Sequence, residues 1–199
     1  MTFKLTSLEN DKFIAPTWGE MGKLCFDLSK KVTSTNQKVD RIVALAKGGW
    51  TWAKTFSDYT NVKDVASLKI DFYKGVYETN DTPVITQSLP ISISGETVLL
   101  FDDVSDTGKT LAVAKNYLSM CGAKKILAAT LFMKPWTIFM PDYYGEKTDA
   151  WVIFPHEIRE MIFLLSKKWI KSGHTKSEIK KRFVNIGLSQ EEVDFFLNP

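Results

Sequence analysis

Three carboxylates within five residues, followed at once by a glycine set among hydroxyl and basic side chains, are the part of this chain best suited to chemistry. They lie in VLLFDDVSDTGKTL, residues 98–111. Val98 to Phe101 reads as a buried strand that ends abruptly in Asp102 and Asp103, with Asp106 just beyond. Thr107-Gly108-Lys109-Thr110 then opens a helix expected from about Lys109 to Met120, with Gly122 as its stop signal. A helix start leaves backbone N–H groups free, and these attract an anion. Two threonine hydroxyls add donors, and Gly108 lets the backbone approach a ligand closely. The GKT triplet suggests a nucleotide-binding P-loop, but that motif needs glycine where Asp103 stands. Carboxylates would repel a polyphosphate pressed against them. They suit a ligand with one phosphate at its end and a neutral diol or a developing cation beside the acids. A ribose 5-phosphate fits, with its phosphate on the loop and its 2′ and 3′ hydroxyls on Asp102 and Asp103.

The elements that must carry this turn follow from periodicity. Met21, Leu24, Cys25, Leu28 and Val32 recur at helical spacing after a Thr17/Glu20 capping box. Ile42 to Ala46 is a short apolar run closed by Lys47-Gly48-Gly49, which suggests a buried parallel strand. A helix from Trp50 to about Tyr59 and a strand near Ala66 to Phe72 follow. Tyr73 to Pro90 is rich in turn residues and reads as a long mobile excursion with at most an isolated strand near Val84. Ile126 to Phe132 and Ala150 to Phe154 are further apolar strands. Strands alternating with helices predict an α/β fold, a mostly parallel central sheet flanked by helices.

The last third changes character. Ile158, Ile162, Leu165 and Trp169 follow helical spacing up to Gly173. Thr175 with Glu178 and Ser189 with Glu192 are two further capping boxes, each opening a short amphipathic helix. The pattern divides the chain into a sheet domain, residues 1–156, and a C-terminal three-helix extension, residues 157–199.

Composition sets the outer bounds. The chain has 199 residues, 44% of them apolar and 25% charged, and a net charge of +3. Disordered, collagenous and disulfide-scaffold classes are excluded. No apolar run approaches a membrane span, and the first residues lack the apolar stretch of a signal peptide. Cys25 and Cys121 read as free core thiols in a reducing compartment, and with His156 and His174 they offer no zinc spacing. A cytoplasmic protein without a membrane partner is the expectation.

FDDVSDTGKT resembles the phosphoribosyl-diphosphate (PRPP) motif of the type I phosphoribosyltransferases. ALAKGGW, residues 44–50, resembles the family's pyrophosphate loop, and KIDFYKG, residues 69–75, the strand leading into its flexible lid. LFMKPWTIFMPDYYGEKTDAWVIFPHE, residues 131–157, is similar to the purine-recognition region of the archaeal and bacterial xanthine-guanine type branch. The likeness runs over about residues 17–157. The tail lies outside the general pattern, although some archaeal purine enzymes carry such an extension.

The resemblance implies a type I fold and an enzyme that joins a free purine to PRPP, releasing pyrophosphate and a nucleoside monophosphate. It implies that Asp102, Asp103, Ser105, Asp106, Thr107, Gly108, Lys109 and Thr110 bind PRPP. Asp102 and Asp103 would hold the ribose hydroxyls and face the oxocarbenium-like ring, and Asp106 would exchange a proton near N7 of the base. Lys47 and Gly48 would meet the pyrophosphate; the family usually has arginine at position 47, whose fork geometry lysine lacks. Lys134 would meet the purine C6 substituent, Trp151 would stack on the base, and Val152 would contact its edge. Magnesium is implied, held mainly through PRPP and water, with Asp103 and Glu157 as protein ligands. A homodimer is implied as well.

Two features bear on the base. A lysine donor at position 134 suits a 6-oxo group better than the 6-amino group of adenine. Relatives that use 6-oxopurines usually read Pro-Trp-Glu where this chain has Pro155-His156-Glu157, and the tail resembles that of adenine-using archaeal variants. The lean is toward adenine, with 6-oxopurines as the alternative. A rival of another class is a PRPP-sensing regulator that binds nucleic acid through Lys167, Lys168, Lys171, Lys176, Lys180, Lys181 and Arg182. Retention of Asp106 and of the base-recognition segment favours the enzyme, so a nucleic-acid partner is not expected.

Overall fold

The computed structural model describes residues 3–73 and 82–197. Much of the predicted excursion and the end of KIDFYKG lie outside the described residues. The chain divides into two compact units, one formed by residues 22–148 and the other by residues 1–21 with 149–199. No helix among the described residues is long and apolar enough to cross a membrane.

The larger unit is built on a six-stranded sheet. Its strands are β3 (Arg41–Ala46), β4 (Asp64–Tyr73), β5 (Thr82–Gln87), β6 (Thr97–Ser105), β7 (Lys125–Met133) and β8 (Tyr143–Lys147). The order is β5-β4-β3-β6-β7-β8, all pairs parallel except β5 on β4. A strand covered on both faces must be apolar on both, and β3 and β6 are. Val43 and Leu45 of β3 and Val98 and Leu100 of β6 share one core with Leu111, Ala114 and Leu118 of α3 (Lys109–Met120). On the alternate positions, Phe101 of β6 stacks on Phe56 of α2 (Gly48–Thr60), with ring centroids 4.7 Å apart. The period of two along each strand therefore places α2 and α3 on opposite faces. The α/β architecture expected from the alternation is present, and β5 pairs with β4 where an isolated strand was expected. Helix α1 (Trp18–Thr33) carries Cys25 at a fully buried position, and burial pushes its thiol up to about 12.

The smaller unit contains β1 (Leu5–Leu8), β2 (Asp11–Ile14), β9 (Trp151–Val152), α4 (Ile158–Lys171), α5 (Lys176–Ile186) and α6 (Gln190–Leu197). β1 and β2 form an antiparallel hairpin, and β2 pairs in parallel with β9. The apolar stripes of the three helices meet Phe13 of β2 and Ile153, which follows β9, in a single core. By packing, then, residues 149–156 and the amino-terminal hairpin go with the tail, and the division falls away from the 156/157 position that the sequence pattern favours. Thr175 and Glu178 complete the expected capping box at α5. His174, just after the Gly173 helix stop, faces the hairpin turn at Glu9 with Nε2 3.2 Å from its carboxylate. Several tail cations are paired: Lys168 with Asp11 at 2.5 Å, Lys180 with Asp194, and Arg182 with Glu9.

Candidate functional site

Parallel pairing fixes where the chemistry can gather. β6 lies between β3 and β7, so the carboxyl ends of the three strands emerge side by side at one edge of the sheet. Such an edge is where ligands bind in open α/β folds. β3 delivers Lys47 and Gly48, β6 delivers Asp102, Asp103, Ser105 and Asp106, and β7 delivers Lys134. Residues far apart in the chain are brought together by register alone.

The acid pair is held by close backbone approach. A Cβ on Gly48 would fall 2.1 Å from Oδ2 of Asp103, and one on Gly49 would fall 2.7 Å from the Phe101 carbonyl and 2.8 Å from Asp102 Cα. Only glycine lets the start of α2 come this near, and the Gly49 N–H then donates to the Asp102 carboxylate at the positive end of the helix dipole. The Asp103 N–H donates to Asp102 Oδ1 at 3.0 Å. The carboxyl of Asp102 is held well above its usual range, first by burial and second by the neighbouring charge of Asp103; the amides of Asp103 and Gly49 oppose the shift. Asp103 is itself 6% exposed.

The turn that follows has the expected form. Gly108 sits at φ +81, the left-handed region, immediately before α3. Thr107, Lys109 and Asp106 are exposed, and Thr110 is half-buried. A cleft of about 390 Å³ is lined by Asp102, Ser105, Asp106, Thr107, Gly108 and Thr110, among others. An open helix start in a cleft beside carboxylates can take one phosphate at its end and hydroxyls along its side.

Behind this turn lies a support that sequence reasoning did not find. The Lys134 N–H donates to the Ser105 carbonyl at 2.9 Å, and the Ile138 N–H to the Thr107 carbonyl at 3.0 Å. Ser105 and Thr137 share a hydroxyl hydrogen bond of 2.8 Å. A Cβ on Gly108 would lie 2.6 Å from both Thr137 Oγ1 and the Phe139 amide nitrogen. The segment after β7 thus braces the segment after β6. Trp136 reaches further forward, its indole N–H donating to Asp106 Oδ1 at 2.9 Å. The one signal for these contacts is the position of Trp136 and Thr137 just past the β7 strand end.

Lys134 is 6% exposed, far more buried than a lysine ordinarily is, and its Nζ stands 5.6 Å from the Trp136 ring centre. Lys47 is exposed at the first turn of α2. Trp151, Val152 and Glu157 belong to the smaller unit. Trp151 is 53% exposed on β9, Val152 is buried, and Glu157 precedes α4 with its carboxylate 4.0 Å from His156 Nε2. His156 packs on Phe154, with ring centroids 5.2 Å apart.

Comparison with known proteins agrees with this architecture. The phosphoribosyl transferase domain model matches residues 17–159. A xanthine-guanine phosphoribosyltransferase of Gluconobacter oxydans is 25% identical over 141 residues, covering 70% of this chain and 81% of that protein. A hypoxanthine-guanine phosphoribosyltransferase of Pan troglodytes is 30% identical over 128 residues, covering 56% and 59%. Among solved structures, a purine phosphoribosyltransferase from Pyrococcus horikoshii superposes with a TM-score of 0.65 at 36% identity, covering 72% of this chain and 92% of the other. The match takes in the acid pair, the glycine turn and the lysine strand end together, and the chain belongs to the phosphoribosyl transferase domain family.

Proposed function

We propose that this chain is a purine phosphoribosyltransferase acting on 6-oxopurines. The reading rests on one observation above the others: a nearly buried ammonium, Lys134, at the same sheet edge as an acid pair and an open glycine turn. An ammonium has three donors and no acceptor, so it matches a carbonyl oxygen and mismatches an exocyclic amine. The names of the related proteins point the same way, being xanthine-guanine and hypoxanthine-guanine enzymes. They give no support to the adenine lean drawn from the tail and from His156.

In this reading the 5′-phosphate lies on Thr107 to Thr110 and the ribose hydroxyls on Asp102 and Asp103. A purine nitrogen forms its bond to C1′ as the bond from C1′ to the pyrophosphate oxygen breaks, the electron pair leaving with pyrophosphate. The proton lost from the base passes to Asp106. The acid pair faces the ring as positive charge develops on it, an electrostatic contribution realised mainly in the transition state. Lys47 and the Gly48 amide receive the leaving group, while Trp151 and Val152 are assigned to the base. The oxygen-donor carboxylate of Asp103 suits magnesium, which would neutralise pyrophosphate charge; Glu157 is the second candidate ligand. A homodimer completes the proposal.

The test is pyrophosphate release from PRPP with guanine, xanthine, hypoxanthine and adenine offered separately. At least one 6-oxopurine is expected to exceed adenine in kcat/KM by tenfold or more, on the order of a lost hydrogen bond to a charged group. Adenine turning over as well as the others overturns the choice of base, and no turnover with any purine overturns the activity. Replacing Lys134 by methionine should lower kcat/KM for the preferred base by about 10- to 100-fold.

A further inference from the structure

We propose that Trp136 is a positioning residue that sets the orientation in which the Asp106 carboxylate receives the proton of the base. The inference rests on the assignment of Asp106 to that proton and deepens it. Asp106 stands exposed on a loop, where a carboxylate is free to turn. The Trp136 indole N–H fixes one of its oxygens at 2.9 Å. Because the two oxygens of a carboxylate turn together, a donor on Oδ1 also fixes where Oδ2 points. Among the described residues no hydrogen bond to Oδ2 is present, which leaves that oxygen to face a ligand.

The indole is suited to this place in a second way. Its rim is electropositive and its face electronegative. The rim N–H meets the anion Asp106, and the face meets the cation Lys134 at 5.6 Å. One ring therefore links the two side chains assigned to opposite parts of the base, the proton acceptor and the C6 donor. The ring itself is held from below. The Thr137 N–H donates to the Lys134 carbonyl at 3.2 Å, closing a tight turn around Pro135 and Trp136. The next two residues are tied to the PRPP turn through the Thr137 hydroxyl on Ser105 and the Ile138 N–H on Thr107. Any motion of the turn carries Trp136 and Asp106 together. Fixing a catalytic group in this manner acts on the chemical step and leaves the binding of the other substrate nearly alone.

Trp136→Phe removes the N–H while keeping a ring face for Lys134. With PRPP and the preferred 6-oxopurine, it should lower kcat about tenfold, a part of the usual contribution of a general base. The KM for PRPP should stay within about twofold, since ground-state binding is untouched. A spectroscopic readout is independent of turnover. The indole ¹⁵N–H resonance of Trp136, assigned by its loss in the Phe variant, should move upfield in Asp106→Ala and hold its place in Asp106→Asn, which retains an acceptor. A resonance indifferent to Asp106→Ala overturns the hydrogen bond. A Phe variant with unchanged kcat, or with PRPP KM raised in step with the loss of kcat, overturns the positioning role. A wild-type protein that shows the indole shift but makes no nucleotide leaves the hydrogen bond standing and refutes the assignment of Asp106 instead.

Discussion

At Asp102 the needs of the ligand and the needs of the fold conflict. Burial and the neighbouring Asp103 charge hold its carboxyl well above the ordinary carboxylate range in the folded protein. In the unfolded chain it titrates near the usual 3.8. Between those two pH values the folded state keeps a proton that the unfolded state has lost, so the part of the stability that this proton supplies falls as pH rises and is gone above both. Asp102→Asn removes this loss. The variant should gain stability over wild type progressively from about pH 4 toward neutrality, measured by urea denaturation across that range, while losing roughly tenfold or more in kcat/KM through the weakened hold on ribose. A stability difference that does not change with pH would show that the carboxyl titrates normally. The acids themselves were legible in the sequence, because Asp102, Asp103, Asp106 and Gly108 lie within seven residues and form a local pattern. Trp136 was not, since its partner Asp106 lies 30 residues away and only strand register joins them.

Among the elements, the start of α2 shows how a contact distance overrules a propensity. Alanine is a better helix former than glycine by about 1 kcal/mol, so Gly→Ala inside a helix should stabilise. Gly22 of α1 has nothing within 4 Å of the Cβ it lacks, and Gly22→Ala should stabilise by up to about 1 kcal/mol. At Gly49 the new Cβ would meet the Phe101 carbonyl at 2.7 Å and Asp102 Cα at 2.8 Å, both main-chain atoms of β6 that cannot swing aside. Gly49→Ala should therefore destabilise by about 1–3 kcal/mol and displace the acid pair, with loss of activity. Chemical denaturation of the two variants side by side checks the contrast, and two gains of similar size would refute it. Helices were read well because capping boxes and apolar spacing are written within each segment, as at Thr17, Thr175 and Ser189. β1, β2 and β8 escaped notice because they are four or five residues long and mix polar with apolar side chains, so no apolar run announces them.

For the molecule as a whole, the division into units is the feature least visible in local pattern. The tail helices need a partner for their stripes, and the structure supplies residues from both ends of the chain. Phe13 lies 6.3 Å from Trp169, ring centre to ring centre, and Trp169 lies 4.9 Å from Phe183. Ile153 joins the same core, although the sequence pattern places it with the sheet domain. Nothing within either segment encodes the pairing of β2 with β9; it is a long-range contact that only folding reveals. Phe183 is wholly buried at the centre of this cluster, so Phe183→Ala should cost about 3–5 kcal/mol in the smaller unit. Because the cluster is shared, the damage should not stay in the tail. Native-state hydrogen exchange should show amides of β1, β2 and β9 losing protection together with those of α4 to α6, as one cooperative group. Loss confined to residues 157–199 would mean that the helices form a core of their own, and that the hairpin and β9 merely rest beside it.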